Sequence, residues 1–222
     1  MSATALIDAN AAAALPLRNE PVQARSTARL AALLDAAAAV VDEIGYERLT
    51  TAMVAERAGA SIGTVYRYFP DRIAVLQALG ARNFDRVLTR GVEELVDARH
   101  ENWAVGLSSA FGLLVEMFRS EPGFRRLRAG DVIDLQPAAN ERTYNSLVAE
   151  AFYDGLVSRY GIVDNPEARF AFETAFEISD SLASRAFARD HNGDERFMIA
   201  GRDITVHILA PHIGIPEGFP IQ

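Results

Sequence analysis

The chain has 222 residues, half of them hydrophobic, and carries a formal net charge of −8 at pH 7. This length allows one large or two small domains with a sizeable core. The chain contains no cysteine, which excludes disulfides, thiolate metal sites and a cysteine nucleophile. No run of about 18 apolar residues occurs, so the sequence does not predict a membrane span.

The chain begins with an alanine-rich segment that ends near Pro21. It lacks the basic start of a secretory signal, and Asp8 interrupts its apolar run. We interpret residues 1–24 as a flexible arm of a cytoplasmic protein. Alternatively, Arg18 and Arg25 could reach into a minor groove of DNA, as basic arms do.

A long amphipathic helix is expected to follow, with Ser26 or Thr27 as its N-cap and Gly45 after its end. Its apolar positions recur every three or four residues: Leu30, Leu34, Ala37, Val41 and Ile44. This spacing gives the helix one apolar face, on which the next elements can pack.

The segment that comes next predicts two short helices joined by a turn. Val54 and Ala58 lie four apart in the first helix, and Val65 and Phe69 repeat that spacing in the second. Two such narrow apolar seams pack against each other. Gly59 between them suits the left-handed conformation that ends a helix. The pattern is that of a helix-turn-helix.

Three polar residues are expected to cap the helices of this segment. Thr51 is the predicted N-cap of the first helix, Ser61 that of the second, and Asp71 that of a third helix beginning at Arg72. The free N–H groups at such helix starts also favour a phosphate.

The second short helix carries an unusual number of hydrogen-bond donors outside its apolar seam. Hydroxyls and guanidinium groups position a protein on DNA phosphates, while residues near the helix N-terminus reach base edges in the major groove. We therefore predict that the following residues contact DNA: Arg25, Thr51, Ser61, Ile62, Gly63, Thr64, Tyr66, Arg67, Tyr68 and Arg72.

The run A-E-R-A-G-A-S-I-G-T-V-Y-R-Y-F-P-D-R, residues 55–72, resembles the N-terminal domain of the TetR family of bacterial transcriptional repressors. The family pattern is I-A-x-x-A-G-V-S-x-G-T-L-Y-x-Y-F-x-x-K, which the chain meets with conservative changes. The resemblance extends from about Arg25 to about Leu79. It implies a homodimer whose two recognition helices enter successive major grooves of a near-palindromic operator, and a variable C-terminal ligand domain.

One observation leaves room for a different interpretation. Tyr66, Tyr68 and Phe69 could form an aromatic core in a helix-turn-helix that never touches DNA; we assign Phe69 to the core in either case.

The net negative charge lies mostly outside the predicted DNA-binding segment. Residues 25–72 balance six arginines with six acidic residues, whereas residues 73–222 hold 15 arginines and 22 acidic residues. Affinity for DNA should therefore depend on a dimer and fall steeply with salt.

The chain as a whole is predicted to be all-α, with an N-terminal three-helix helix-turn-helix DNA-binding domain and a C-terminal helical ligand-binding and dimerisation domain. We place the arm at residues 1–24, the DNA-binding domain at 25–72 and the helical domain at 73–222. Turn signals separate the predicted helices of the last domain, which lie near residues 72–89, 102–119, 123–134, 138–160, 166–189 and 194–210.

Aromatic stripes on these helices predict an apolar cavity for a small, mainly hydrophobic effector. The predicted lining residues are Trp103, Leu107, Phe111, Phe118, Tyr144, Val148 and Phe152. Apolar rows on the last two helices predict a homodimer interface, with intramolecular burial of the same rows as the alternative. The predicted interface residues are Phe172, Phe176, Ala183, Phe187, Ile204 and Ile208.

Other polar groups have two interpretations each. Glu173, Glu177 and Asp180 share a helix face that could attract a cationic ligand, but a solvated surface is the simpler interpretation. His100 is a candidate hydrogen-bond donor for the cavity.

We find no catalytic constellation, since G-x-S-x-G, H-E-x-x-H and phosphate-binding glycine loops are all absent from the sequence. The sequence therefore predicts no enzyme, cofactor or metal. The prediction is a TetR-like regulator, in which a double-stranded DNA operator is bound by a homodimer and released by an effector. The alternatives are an orphan helix-turn-helix regulator without a small-molecule effector, and a helical enzyme.

Overall fold

The computed structural model of the protein describes residues 24–127 and 143–216. Within these ranges it contains α-helices, one 3-10 turn and no strand, which confirms the predicted all-α class. The helices are α1 (Ala24–Ile44), α2 (Thr51–Arg57), α3 (Ile62–Tyr68), α4 (Arg72–Val96), α5 (Trp103–Ser120), α6 (Tyr144–Tyr160), α7 (Pro166–Phe187) and α8 (Glu195–Ile213). No helix in the described part of the chain has the length and apolarity needed to cross a membrane.

The chain divides into two compact units. Of the described residues, the first unit contains 24–85 and 122–127, and the second contains 86–121 and 143–216. The first unit therefore extends past the predicted boundary at residue 72, as far as residue 85. The reason is that the first turns of α4 bury their apolar side chains in the core of the first unit, as at Leu76 and Leu79.

The first unit is built on α1, whose apolar face is buried as its spacing predicted. Leu33, Ala37 and Val41 are fully buried and belong to one cluster with Val54 of α2 and Val65 of α3. Each valine or leucine buried in this way contributes about 1.5–3 kcal/mol.

Helix α1 begins at Ala24, before the predicted caps. Ser26 and Thr27 therefore lie inside the helix, and the prediction that one of them caps it is wrong. The spacing of the apolar residues locates the helix but does not identify which polar residue precedes it.

A second difference concerns the helix predicted near residues 123–134. Of that range, residues 123–127 are turns, and the rest lies outside the described residues. Gly123 N–H donates to Asp42 Oδ1 at 3.2 Å, and Arg125 pairs with the same carboxylate. Phe124 and Leu127 are buried. Side-chain contacts with α1 thus hold this segment in place.

The second unit comprises the end of α4 and helices α5 to α8. Asn102, Asn165 and Asp194 cap α5, α7 and α8, each accepting a hydrogen bond from a backbone N–H of the first turn. Their bounds agree with the predicted helices to within three residues. Helix α6 begins at Tyr144, and residues 138–142 of its predicted span lie outside the described residues. Helix α4 runs to Val96 rather than 89.

Glu94 at the end of α4 organises a polar cluster in this unit. Its carboxylate accepts hydrogen bonds from Ser109 Oγ at 2.5 Å and from Arg99, and it lies 3.1 Å from Nε2 of His100. The Ser109 hydroxyl, followed by the Arg99 guanidinium, holds the pKa of Glu94 below its ordinary value. The carboxylate is therefore stabilised in its ionised form.

We expect Glu94→Gln to destabilise the second unit by about 1–3 kcal/mol at neutral pH, because the glutamine cannot serve all three donors. Since the pKa of Glu94 is lowered by folding, its contribution is present above the unfolded value of about 4.3 and is lost as the pH falls further. Thermal unfolding followed from pH 7 downwards should show a shallower acid dependence in the variant. The exposed neighbour variant Glu93→Gln should keep the wild-type curve; equal curves for all three proteins would contradict the assignment.

Candidate DNA-reading surface and effector cavity

Helices α2 and α3 form the predicted helix-turn-helix. Val54 and Val65 are fully buried and join the two helices to α1. Gly59 in the turn has φ 58°, a left-handed conformation that costs other residues strain, and Ala60 N–H donates to Ala55 O at 2.9 Å to close the turn. The backbone of the turn thus explains why a glycine stands at position 59.

The caps follow the prediction in two cases out of three. Ser61 Oγ accepts from Thr64 N–H at 3.1 Å, and Asp71 Oδ1 accepts from Ala74 N–H at 2.9 Å, which confirms both N-caps. The N-cap of α2 is Thr50, whose hydroxyl accepts from Met53 N–H at 3.2 Å. The prediction that Thr51 caps this helix is wrong.

The Thr51 side chain contacts α3 instead. Thr51 is the first residue of α2, and its hydroxyl donates to the Tyr66 hydroxyl of α3 at 3.4 Å. Two predicted DNA-contacting residues from different helices are therefore brought together at the surface.

Helix α3 exposes most of the residues predicted to contact DNA. Ile62 is 42% exposed and Tyr66 54% exposed. Ser61, Gly63 and Arg67 are also exposed, and Thr64 is half-buried beside Ser61, with 2.9 Å between the two hydroxyls. The exposed face of α3 carries hydroxyls, one guanidinium and an apolar contact.

Tyr68 and Phe69 answer the question of an aromatic core. Phe69 is buried, as assigned. Tyr68 is half-buried against the core, and its hydroxyl lies 3.2 Å from Ser26 Oγ of α1, a bond that lowers the tyrosine pKa. The Arg67 guanidinium lies 5.2 Å from the centre of the Tyr68 ring. Tyr66 remains outside the core.

The arginines of the first unit differ in their hydrogen-bond and ion-pair partners. Arg72 Nη1 donates to Glu47 O at 2.7 Å, and Arg57 pairs with Glu43 at 2.5 Å. Arg25 lies in the first turn of α1, and its side chain is not described. Arg67, by contrast, lies on α3 itself and is exposed.

A small apolar cavity lies inside the second unit. Its volume is about 60 Å³, and five phenylalanines dominate its walls. The lining residues come from α5, α6, α7 and α8: Leu107, Ser108, Phe111, Leu114, Val115, Phe118, Phe152, Phe172, Phe176, Ser179, Asp180, Ala183, Arg202 and Thr205.

Part of the predicted lining set is found at this cavity. Leu107, Phe111, Phe118 and Phe152 line it. The other three lie elsewhere: Trp103 is buried and donates its indole N–H to Gly214 O at 3.2 Å, Val148 is fully buried, and Tyr144 is half-buried at the start of α6. His100 is buried beside Glu94 and is not a lining residue.

The rows assigned to a dimer interface are used largely within the chain. Phe172 and Phe176 line the cavity, and Ala183 lines it as well. The Phe187 ring stacks on Phe118 with ring centres 5.1 Å apart. Because Phe172, Ala183 and Phe187 are each under a tenth exposed, they have little surface left to bury against a partner. The intramolecular alternative describes these three residues.

The remaining members of that interface set, Ile204 and Ile208 of α8, are half-buried.

Four polar residues that line the cavity were not predicted from the sequence: Ser108, Ser179, Arg202 and Thr205. The apolar periodicity of a helix does not distinguish an inward-facing polar residue from a solvated one.

The acidic face of α7 is satisfied by α6. Asn145 Nδ2 donates to Glu177 at 2.8 Å and to Asp180 at 3.2 Å, and Ser146 donates to Glu173. These contacts give the three carboxylates a structural role between the two helices.

These features define a helix-turn-helix unit followed by a helical unit that contains an apolar cavity. Residues 33–79 match the family model described as bacterial regulatory proteins, tetR family, and residues 101–213 match the tetracyclin repressor-like C-terminal domain. The chain therefore belongs to the TetR family, which confirms the resemblance. It is a DNA-binding transcriptional regulator.

Individual relatives agree with this classification. The HTH-type transcriptional repressor KstR of Rhodococcus jostii is 44% identical over 59 residues, 27% of this chain and 28% of that protein. KstR of Mycobacterium tuberculosis is 26% identical over 168 residues, 76% and 62% of the two chains. A solved TetR-family regulator from Streptomyces coelicolor is 31% identical, with a TM-score of 0.70 over 84% of this chain and 98% of that chain. The chain spans less than two thirds of the length of the two KstR proteins.

Proposed function

We propose that the protein is a repressor that binds a near-palindromic operator as a homodimer and leaves it when a small, mainly hydrophobic molecule enters the cavity of the second unit. The observation that carries the proposal is the exposed face of α3, where Tyr66 and Arg67 project from a helix whose other face is buried. Similarity to proteins named as repressors supports the direction of control. Such a regulator acts on DNA in the cytoplasm.

The DNA contacts would divide into two kinds. Ser61, Ile62, Gly63 and Thr64 lie at the N-terminal end of α3 and would reach base edges. Tyr66, Arg67, Tyr68, Arg72, Thr51 and Arg25 would contact phosphates and set the register of the helix on the duplex.

Dimerisation would double these contacts and match two-fold DNA. Helices α7 and α8 support it with exposed apolar residues: Phe170 is 72% exposed and Ile199 43% exposed. Ile204 and Ile208, both half-buried, lie on the same helix as Ile199. We propose that exposed or half-buried apolar residues of α7 and α8, rather than the buried rows of α7, contact the partner.

The effector would change the shape of its site. Pockets that hold drug-sized ligands usually have volumes of about 300–1,000 Å³, whereas the cavity measures about 60 Å³. A ligand can therefore enter only a conformation in which the surrounding side chains or helices have moved. To release the operator, the ligand must bind this rearranged conformation more tightly than the conformation that binds DNA. The difference in binding free energy is about 5.5 kcal/mol for a near-complete switch.

The proposal is tested by fluorescence anisotropy with duplexes from the DNA that flanks the protein's own gene. We expect tight binding that survives a scrambled competitor, with two proteins per site and a steep decrease between low and physiological salt. Weak binding to every duplex, including sites recovered by genome-wide selection, would contradict the proposal. Operator binding that no small molecule alters would favour the orphan regulator.

A further inference from the structure

We propose that the molecule accepted by the cavity is electrically neutral, with an apolar body and one oxygen acceptor, an alcohol or a ketone, that takes a hydrogen bond from Ser108. The inference rests on the proposed function, since it names the class of effector for the same cavity. It begins from the hydrogen-bonding state of the few polar groups in the lining.

Ser108 is the unusual member of the lining. Its Oγ is buried and has no hydrogen-bond partner among the described residues. A buried hydroxyl without a partner is destabilising, and most such groups in folded proteins are satisfied. A ligand oxygen that accepts from Ser108 would remove this defect, which gives a hydrogen bond a larger effect here than on an exposed surface.

The other hydroxyls of the lining have already used their protons. Ser179 Oγ lies 2.7 Å from Gly201 O and 2.6 Å from Thr205 Oγ1, and Thr205 Oγ1 lies 3.0 Å from Gly201 O. Two hydroxyl protons serve these three contacts, so neither is left for a ligand. Within the described lining, Ser108 is therefore the hydroxyl with an uncommitted proton.

The charged groups of the lining argue against an ionic ligand. Arg202 is the one cation in the described lining, but its side chain is 43% exposed and donates to Asp203 Oδ1 at 2.8 Å. The Asp180 carboxylate lines the same cavity. An anionic head group would meet a cation that already pairs with Asp203 and a second carboxylate, and an ammonium would have to compete with Asn145 for the Asp180 carboxylate. Burying either charge without a partner is costly.

The apolar part of the ligand is defined by the remaining walls. Five phenylalanines and the aliphatic side chains of α5 offer no hydrogen bonds. They favour rings or short alkyl chains through burial of apolar surface. One oxygen on an otherwise apolar molecule thus matches the one hydroxyl of the described lining whose proton is uncommitted.

The test uses four probes that share an eight-carbon body and differ in the head group: 1-octanol, 2-octanone, octanoate and octylammonium. Isothermal titration calorimetry of the full chain without DNA should show the alcohol and the ketone binding about tenfold or more tightly than either ion at neutral pH. Ser108→Ala should weaken the binding of the two neutral probes by about three- to tenfold.

The chain offers a matched control in Ser184, whose Oγ is also buried without a partner among the described residues but does not line the cavity. Ser184→Ala should leave all four affinities unchanged. Octanoate or octylammonium binding as tightly as the neutral probes, or equal losses in the two serine variants, would overturn the inference. Absence of binding by every probe, in a protein that still binds its operator, would overturn it too and leave the regulator proposal intact. Failure to bind any operator would instead count against the proposed function.

Discussion

Replacing Arg67 or Tyr66 with alanine is expected to abolish specific operator binding at physiological salt while leaving the protein folded. Both side chains are exposed on α3, so little of the fold depends on them. A hydrogen bond to a charged group contributes about 1.5–3 kcal/mol, and a dimer would lose each contact twice. The affinity should therefore fall by roughly 10²- to 10⁴-fold in Arg67→Ala.

Anisotropy titrations at several salt concentrations would measure this effect. Loss of one phosphate contact per subunit should also reduce the salt dependence, by a slope of roughly two for the dimer. Arg57→Ala is the matched control, because it removes the same charge from α2, where the guanidinium is paired with Glu43. Wild-type affinity in both Arg67→Ala and Tyr66→Ala would contradict the assignment of α3 as the reading helix.

Gly106→Ala is expected to destabilise the second unit by about 2–4 kcal/mol. A Cβ at this position would lie 2.2 Å from the Tyr160 hydroxyl oxygen and 2.7 Å from Leu95 O. The same two groups form a hydrogen bond of 2.7 Å, donated by Tyr160. The added methyl would have to displace a main-chain carbonyl and break a bond that ties α6 to the end of α4.

Gly112→Ala provides the control within the same helix. A Cβ at Gly112 would meet nothing within 4 Å, so the change should stabilise the protein by about 0.5–1 kcal/mol through helix propensity alone. Denaturant unfolding of the two variants should shift in opposite directions. Similar stabilities for both would show that the close approach at Gly106 is relieved without loss of packing.

Most features of the helix-turn-helix unit could be predicted from the sequence. Val54 and Val65 were recognisable because a seam of two residues four apart leaves each short helix one face to bury, and the structure buries both. The error at Thr51 has a local cause. Two threonines stand side by side, both can cap a helix, and only the backbone conformation at Thr50 decides between them.

The second unit could be predicted as helices but not as a site. Apolar periodicity identifies the buried face of a helix without showing which neighbour it meets. The apolar spacing of Phe172 and Phe176 predicts a contact with a partner, whereas the two side chains line the cavity. Ser108 lies among apolar residues of α5, and no pattern in the sequence marks a hydroxyl that lacks a partner.

The small volume of the cavity also has a kinetic consequence. A molecule of eight carbons cannot enter about 60 Å³ by diffusion alone, so entry must wait until rings such as Phe111, Phe118 and Phe176 have moved apart. At high ligand concentration the observed association rate should reach a plateau equal to the opening rate of the cavity. The time in which such a regulator responds would then be determined by the packing of its own phenylalanines rather than by the supply of its ligand.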